Sequence, residues 1–599
     1  MKKNYTVKLA SLTLCLALAL PLAACGNNND ASNNANAGTN ANSGTNANAN
    51  AGTNAPADTA PLLDASADPA QDPFGKYDPP IEITTVHTNN GVASNLKNGD
   101  TIESNIYTRT WEEKLGIKMK YNWTSPDAQA EEKMNLMIAS GDLPDFMYVS
   151  PSQFEKLAAT GQLEDLTQVL KDYASKYTKQ YLTGDYAGLL EGVTKDGKIY
   201  GIPNGQTYHD SGSMLWMRED NLAKANLSAP KTVDELDKIL ENFKANDYDK
   251  SGKDMYPIPL ADANLNSVNW GIGDAFFNMF HSYPNIWVEN SKGELEHGMF
   301  GKEQRENTRK ALLKLQEYYK KGYIHPDFAT FDDTKYNEQV VNNQSTVIFG
   351  GLWDAWWPLN LNIEKTPNAQ WEPVSIPSAD DKPGKSSVTA ATVLGIAVAK
   401  KGTAHPEALV KMQNLFHDLN NNPETMQFGK YNTDPVDNSG IFLAYPMPIY
   451  NPSFNYEAFQ QISQAFKDGK TDGLSEAYKL FYDQSKAYAD KKDKAGFPSY
   501  LSYTDKGSLA VVDQYIKEKR FQMNEYTAMP TQEMLDNAPI IKKAWDVMFL
   551  NVVKGADIAE YDAFLSQFDS LYASAVNPGV NDWFAKKNKD SVQKWFESK

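Results

Sequence analysis

The stretch Gly350-Gly351-Leu352-Trp353-Asp354-Ala355-Trp356-Trp357 holds the densest recognition chemistry of this 599-residue chain. Trp353, Trp356 and Trp357 stand at i, i+3 and i+4, so they share a helical face. Each indole offers a flat apolar surface and one N–H donor. The run follows Ser345-Thr346-Val347-Ile348-Phe349, which reads as a buried strand, so it falls where strand ends meet a cleft. The two glycines let backbone approach a bound molecule. Core packing claims one or two of the three indoles; Trp353 or Trp356 is left to stack on a ligand.

A second stretch, Asp247-Tyr248-Asp249-Lys250-Ser251-Gly252-Lys253, alternates oxygen-bearing residues with glycine at the sixth position, as a calcium loop does. Asp247, Asp249, Ser251 and Lys253 are its candidate ligands. Ile258 stands where such a loop wants a bidentate Glu, and Asp254 is out of step by one. Structural calcium and a solvated turn both stay open, and no other cofactor is required. Catalytic motifs are absent: the seven histidines form no HExxH or close pair, and there is no GxSxG, P-loop or GxGxxG. A glycoside hydrolase or lyase needs only two carboxylates flanking a cleft, and 76 Asp plus Glu keep that class in play.

The net charge of −18 argues against nucleic acid as a partner. Cys15 and Cys25 are the only cysteines, which leaves no disulfide framework and no Cys-type zinc site. Lys2, Lys3 and Lys8 precede an apolar run from Leu9 to Leu20 that is too short to span a bilayer. It closes on Leu22-Ala23-Ala24-Cys25, which resembles the lipobox of bacterial lipoproteins. That resemblance implies a signal peptide over residues 1–24, acylation of Cys25 and a membrane tether. Residues 25–78 are rich in Asn, Ala, Gly and Thr, and read as a disordered linker. With roughly 45 flexible residues its reach is on the order of 35–40 Å.

From Ile81 onward strands and helices alternate, which predicts an α/β fold with largely parallel sheets. Ile81 to Val86 is a strand. A helix through Trp111 and Leu115 stops at Gly116, and Ile117, Met119, Tyr121 and Trp123 alternate with polar residues as a half-buried strand does. Phe146 to Val149 and Val393 to Ala399 are further strands. Thr232 and Glu235 form a capping box opening a helix whose apolar face is Val233, Leu236, Ile239, Leu240 and Phe243. Helices are also predicted over Lys310 to Tyr319 and His405 to Leu419, and almost throughout the chain after Ser453.

Several motifs in this order resemble the extracellular solute-binding lipoproteins of ABC importers, family 1, above all the large members from Gram-positive bacteria. They are Ser140-Gly141-Asp142-Leu143-Pro144-Asp145, Asp196-Gly197-Lys198-Ile199-Tyr200-Gly201-Ile202-Pro203, Leu215-Trp216-Met217-Arg218-Glu219-Asp220-Asn221-Leu222, Pro230 to Leu236, Met529-Pro530-Thr531 and Asn581-Asp582-Trp583-Phe584. The likeness implies a two-lobe periplasmic-binding-protein-like fold of type 2 topology with additional C-terminal helices. It places lobe 1 at 79–204, lobe 2 at 205–390, and the return to lobe 1 with helices completing both lobes at 391–599. It implies a non-enzymatic monomer that captures a sugar or oligosaccharide and delivers it to ABC permease subunits. Trp353 and Trp356 are then stacking residues, with Asn89, Asn90, Tyr208, Asp210, Trp216, Arg218 and Trp270 as further ligand contacts. Arg218 faces two alternatives, an acidic sugar or its neighbours Glu219 and Asp220. Relatives carry an EF-hand-like calcium site at the Asp247 loop, with acidic residues where this chain has Met255 and Tyr256. A peptide-binding or signalling co-receptor on the same fold is the remaining alternative.

Overall fold

A computed structural model describes residues 63–64, 66–88, 95–125, 127–183, 186–261, 273–436, 439–587 and 591–598. Local rules explain many of its elements. The helix Val233–Ala245 is opened by Thr232, whose hydroxyl accepts from the Glu235 N–H at 3.2 Å while the Glu235 carboxylate accepts from the Thr232 and Lys231 N–H groups at 3.2 and 2.7 Å. Its five predicted apolar residues are all buried. Thr232→Ala should cost about 1 kcal/mol, read as a lower denaturant midpoint at unchanged slope, and Thr232→Ser should recover most of it.

Ile106–Leu115 is helical and ends on Gly116, which is left-handed at φ 66°. A Cβ there would lie 2.3 Å from the Tyr77 carbonyl oxygen, so both conformation and space require glycine. The turn delivers the chain into the strand Ile117–Ser125, which pairs in parallel with Ile81–Thr88.

Ile81–Thr88 lies beside Phe146–Val149. Thr84 pins the two, its hydroxyl and N–H donating to one Asp145 carboxylate oxygen at 2.6 and 2.9 Å. Ala391–Ala399 then runs between Phe146–Val149 and Ile202–Thr207, antiparallel to both. In the other half, Met214–Arg218 is flanked by Val347–Gly350 and Trp371–Val374, again antiparallel. The expectation of largely parallel sheets is corrected: among the strands of the described residues only Ile81–Thr88 with Ile117–Ser125 and Ser386–Val388 with Phe521–Met523 pair in parallel, and both three-stranded sheets are antiparallel.

Two hydrophobic cores result. One draws on segments 63–202 and 396–449, centred on Tyr107, Trp111, Phe146, Phe154, Phe416 and Tyr445. The other draws on 208–388, on Met426 and Phe428, on 458–568 and on Phe596, centred on Trp216, Phe276, Tyr318, Phe349, Phe481 and Trp545. Helices from Phe454–Asp468 to Ala559–Leu571 give most of their buried residues to the second core, whereas Val580 and Phe584 of Asn577–Lys586 join a smaller cluster with Trp287, Leu295 and Tyr526, and Met529 packs partly against the first core. The stretch is not wholly helical, because Phe521–Met523 forms a short parallel pair with Ser386–Val388.

The chain passes between the halves near residues 204–210, 391–396 and 450–455, and these segments are knitted to one another. Ala391–Ala397 ladders onto Ile202–Thr207, with an irregularity between Val393 and Gly395. The Tyr450 N–H donates to Asn204 Oδ1 at 3.1 Å, the Thr207 hydroxyl to the Pro452 carbonyl at 3.3 Å, and Asn455 Nδ2 to Asp210 Oδ2 at 2.8 Å. Among the described residues no helix is long and apolar enough to cross a membrane.

Candidate ligand-binding cleft

The Gly350 turn is built around a buried carboxylate. Asp354 Oδ2 accepts the Gly351 N–H at 2.8 Å, and a Cβ on residue 350 would fall 2.1 Å from that oxygen. Burial pushes the Asp354 carboxyl up to about 7, the Gly351 bond opposing it. From the adjacent strand, Trp216 donates its indole N–H to the Gly351 carbonyl at 2.8 Å. The chain then turns through Leu352–Ala355, which buries Leu352 and Ala355 and leaves Trp353 and Trp356 half-buried.

Both indoles line a cavity of about 560 Å³, within the usual size range of small-molecule sites. Trp356 is held by its N–H donating to Ser502 Oγ at 2.9 Å and by edge-on contact with Phe481, 6.0 Å between centroids. Phe481 stacks on Tyr503 at 4.8 Å and meets Phe428 edge-on at 5.5 Å. This aromatic wall belongs to the second core. The opposite side comes from the first half: Asn421, Asn432, Thr433 and Tyr450. Gly205, Gln206, Asp210, Leu394, Asn451 and Asn455 of the crossing segments form the floor. The first-half side also carries Phe442 and Leu443, so apolar faces stand on both sides with amides and hydroxyls between them, which suits a ligand with apolar ring faces and many hydroxyls.

Asp210 is the acidic residue of that floor. Its side chain is buried, Oδ2 accepts from Asn455, and Oδ1 has no hydrogen-bond partner. Asn455 is itself fixed, its Oδ1 accepting from the Tyr503 hydroxyl at 2.8 Å. Burial pushes the Asp210 carboxyl up to about 7; the Asn455 bond opposes this and the charge of Glu457 adds to it.

Three expected contacts are corrected. Trp216 is fully buried in the second core and supports the Gly351 turn from behind. Arg218 is also fully buried, and its five N–H groups make five bonds: to Asp220 at 2.8 and 3.0 Å, to Asp249 at 2.7 and 2.7 Å, and to Asn343 at 3.0 Å. Tyr208 turns away from the cleft, packing edge-on against Phe521 and Phe596 and lining a separate cavity of about 830 Å³ with Lys587 and Trp595. Cys25, Asn89, Asn90 and Trp270 lie outside the described residues.

Of the candidate calcium ligands only Asp247 Oδ1 is buried without a hydrogen-bond partner, and the rest of the loop is poor calcium chemistry. Both Asp249 oxygens are committed to the Arg218 guanidinium, a permanent cation. Asp247 Oδ2 caps its own turn, accepting from Gly252 N–H at 2.8 Å and Ser251 Oγ at 3.2 Å. Lys253 adds positive charge, and Ile258 is wholly buried where a carboxylate is needed. Among the described residues no cluster of three or more His, Cys, Asp or Glu could hold a metal ion.

Several cleft residues were not anticipated: Phe428, Tyr450, Asn451, Asn455, Phe481 and Tyr503. Asn451-Pro452-Ser453-Phe454-Asn455 carried a signal, since an Asn-Pro turn with a second Asn marks an irregular, polar crossing. The aromatic residues carried none, because apolar positions alone do not say which side chains meet the cavity.

A two-lobe α/β fold with a cavity floored by three crossing segments defines a binding protein that closes on a solute. Residues 93–412 match the family of bacterial extracellular solute-binding proteins, and the chain belongs to it. It is 25% identical over 425 residues to the lipoprotein LipO of Bacillus subtilis (strain 168), spanning 69% of this chain and 80% of LipO. It is 29% identical over 250 residues to the polygalacturonan/rhamnogalacturonan-binding protein YtcQ of the same organism, 41% of this chain and 46% of YtcQ. Among solved structures, an EF-hand mutant of the Streptococcus pneumoniae ABC-transporter substrate-binding protein FusA, in complex with fructo-nystose, superposes with a TM-score of 0.57 at 17% identity. The superposition covers 85% of this chain and 100% of that one, and shows the shared fold.

Proposed function

We propose that this protein is a lipid-anchored receptor on the outer face of the cell membrane that captures a sugar or oligosaccharide between its lobes. It hands the closed complex to the permease subunits of an ABC importer. The observation that carries the proposal is the cavity itself, which is lined together by Trp353, Trp356 and Phe481 of the second core, by Asn421, Asn432 and Thr433, and by the crossing segments. A ligand touching both sides stabilises the closed state by its differential contacts, and the closed shape is what a permease reads. No bond needs to be made or broken.

Support comes from the relatives' names, which give FusA as a fructooligosaccharide ABC transporter substrate-binding protein and YtcQ as a polygalacturonan/rhamnogalacturonan-binding protein. LipO's name supports acylation at Cys25 and the tether. The lobes run over 79–204 and 205–390, with the return at 391–599, and the protein acts as a monomer. Isothermal titration against a glycan panel tests the proposal. Saturable binding with the glycan recovered intact is the expected result; release of reducing ends, or silence across the panel, overturns it.

A further inference from the structure

We infer that the cleft selects uncharged glycans over uronate-containing ones, and that the buried carboxylate of Asp210 in its lining sets this selectivity by its charge. The inference rests on the sugar-capture proposal above and sharpens its substrate class. Asp210 lines the cavity from the first crossing segment and is tied to the third by Asn455. The relay from Tyr503 through Asn455 fixes the carboxylate by Oδ2, which leaves Oδ1 as a buried acceptor in need of a donor. A neutral sugar brings no charge to the neighbourhood of this carboxylate. A uronate carboxylate supplies only acceptors and a second negative charge.

The rest of the polar lining cannot compensate that charge. Gln206, Asn421, Asn432, Thr433 and Asn451 are neutral, and among the described residues lining this cavity none is Lys, Arg or His. The titratable groups around Asp210 do not help either. Glu457, on the helix Phe454–Asp468, accepts from Asn451 and Tyr478 and is itself acidic. Tyr503 is neutral, its hydroxyl pushed well above its ordinary range by burial. On the helix Ser508–Lys517, Asp513 is engaged by Tyr456 and by the exposed Lys517. His209 shares the turn of Asp210 but stacks between Tyr208 and Tyr456, and lines the other cavity. Like charges in such a site cost on the order of 100-fold in affinity.

The charge on Asp210 should be adjustable. Burial raises its carboxyl to about 7, so it is largely ionised at pH 8 and largely protonated at pH 5.5, while a uronate stays ionised throughout. Discrimination against uronates should therefore be widest at pH 8 and shrink toward pH 5.5.

Titration calorimetry on the purified protein with matched tetrasaccharides tests this, with galacto- and fructo-oligosaccharides against tetragalacturonate at both pH values, for wild type and Asp210→Asn. The expected result is a neutral binder, with tetragalacturonate ~100-fold weaker at pH 8. That gap should narrow about tenfold at pH 5.5 and to a similar degree in Asp210→Asn. Uronate binding as tight as the best neutral glycan at pH 8 overturns the inference while leaving sugar capture standing. So does a gap indifferent to pH in the wild type, a measurement that holds even if the variant does not fold. Silence for every glycan overturns sugar capture, and this selectivity with it.

Discussion

Replacing Arg218 with methionine should destabilise the protein by about 3–5 kcal/mol, the range for stripping one partner from a buried ion pair. The guanidinium is inaccessible to solvent and satisfies Asp220 and Asp249, whose side chains are only 13% and 9% exposed. Without it two carboxylates face each other in a site of low polarity, and only Asp220 keeps a cation, Lys224 at 2.8 Å. Burial by itself would raise the Asp220 carboxyl, but the bonds and charge of Arg218 hold it below its usual range. A carboxyl lowered in the folded state stabilises above its unfolded value and loses that contribution as pH falls through the lowered one. The wild type should thus keep this contribution down to about pH 4. The variant should behave in the opposite sense, least stable at pH 7–8 and recovering toward pH 5 as its stranded carboxylates protonate. Chemical denaturation at pH 7.5 and 5 reads both. Arg218→Lys should fall between, because an ammonium keeps the charge but cannot span two carboxylates with a planar fork. A variant as stable as wild type at pH 7.5 would remove the guanidinium from its assigned role.

Trp353→Ala and Trp356→Ala should each weaken glycan binding by about 30- to 100-fold, roughly 2–3 kcal/mol, as for aromatic anchors at the centre of a desolvated contact. Trp356 is the sharper test. Its ring is oriented before any ligand arrives, by the bond to Ser502 and the edge contact with Phe481, so little ordering entropy is lost on binding. Trp356→Phe should retain a good part of the affinity and Ser502→Ala a smaller loss, whereas Trp357→Ala, at an exposed position, should bind normally. Calorimetry with the best glycan of the panel, alongside circular dichroism to confirm folding, separates these outcomes. Equal losses at Trp356 and Trp357 would move the ligand out of this cavity.

What could be read from sequence divides along chain distance. The capped helix at Val233, the stop at Gly116 and the strand at Phe146 rest on contacts within a few residues, and composition states them directly. The Gly350-Gly351 turn was legible because glycines at a strand end have a mechanical reason to be there. Arg218 shows the limit. Its pairing with Asp220 lies two residues away and stood among the alternatives, but Asp249, which completes the site, lies 31 residues further on. The same contact undid the calcium reading, since nothing local tells that Asp249 already serves a cation. Trp216 was placed in the cleft by its motif and Tyr208 by its position after the crossover, yet the first is buried in the strand Met214–Arg218 and the C-terminal helix covers the second. The aromatic wall from Phe428 to Tyr503 was beyond reach, because apolar positions along a helix do not say which side chains meet the cavity.

The threefold passage between the halves also constrains how the molecule can be made. The middle strand of the first sheet, Ala391–Ala399, is separated from its partner Phe146–Val149 by more than two hundred residues of chain. A nascent chain that has produced only its opening third therefore holds two unpaired strand borders and half a core. Neither half can finish until the translation of the other is well advanced. Long-range closure of this kind makes acquisition of the native state slow and leaves sticky intermediates exposed meanwhile. An export route that passes the chain extended and lets it collapse only after release suits this topology better than stepwise assembly from the amino terminus.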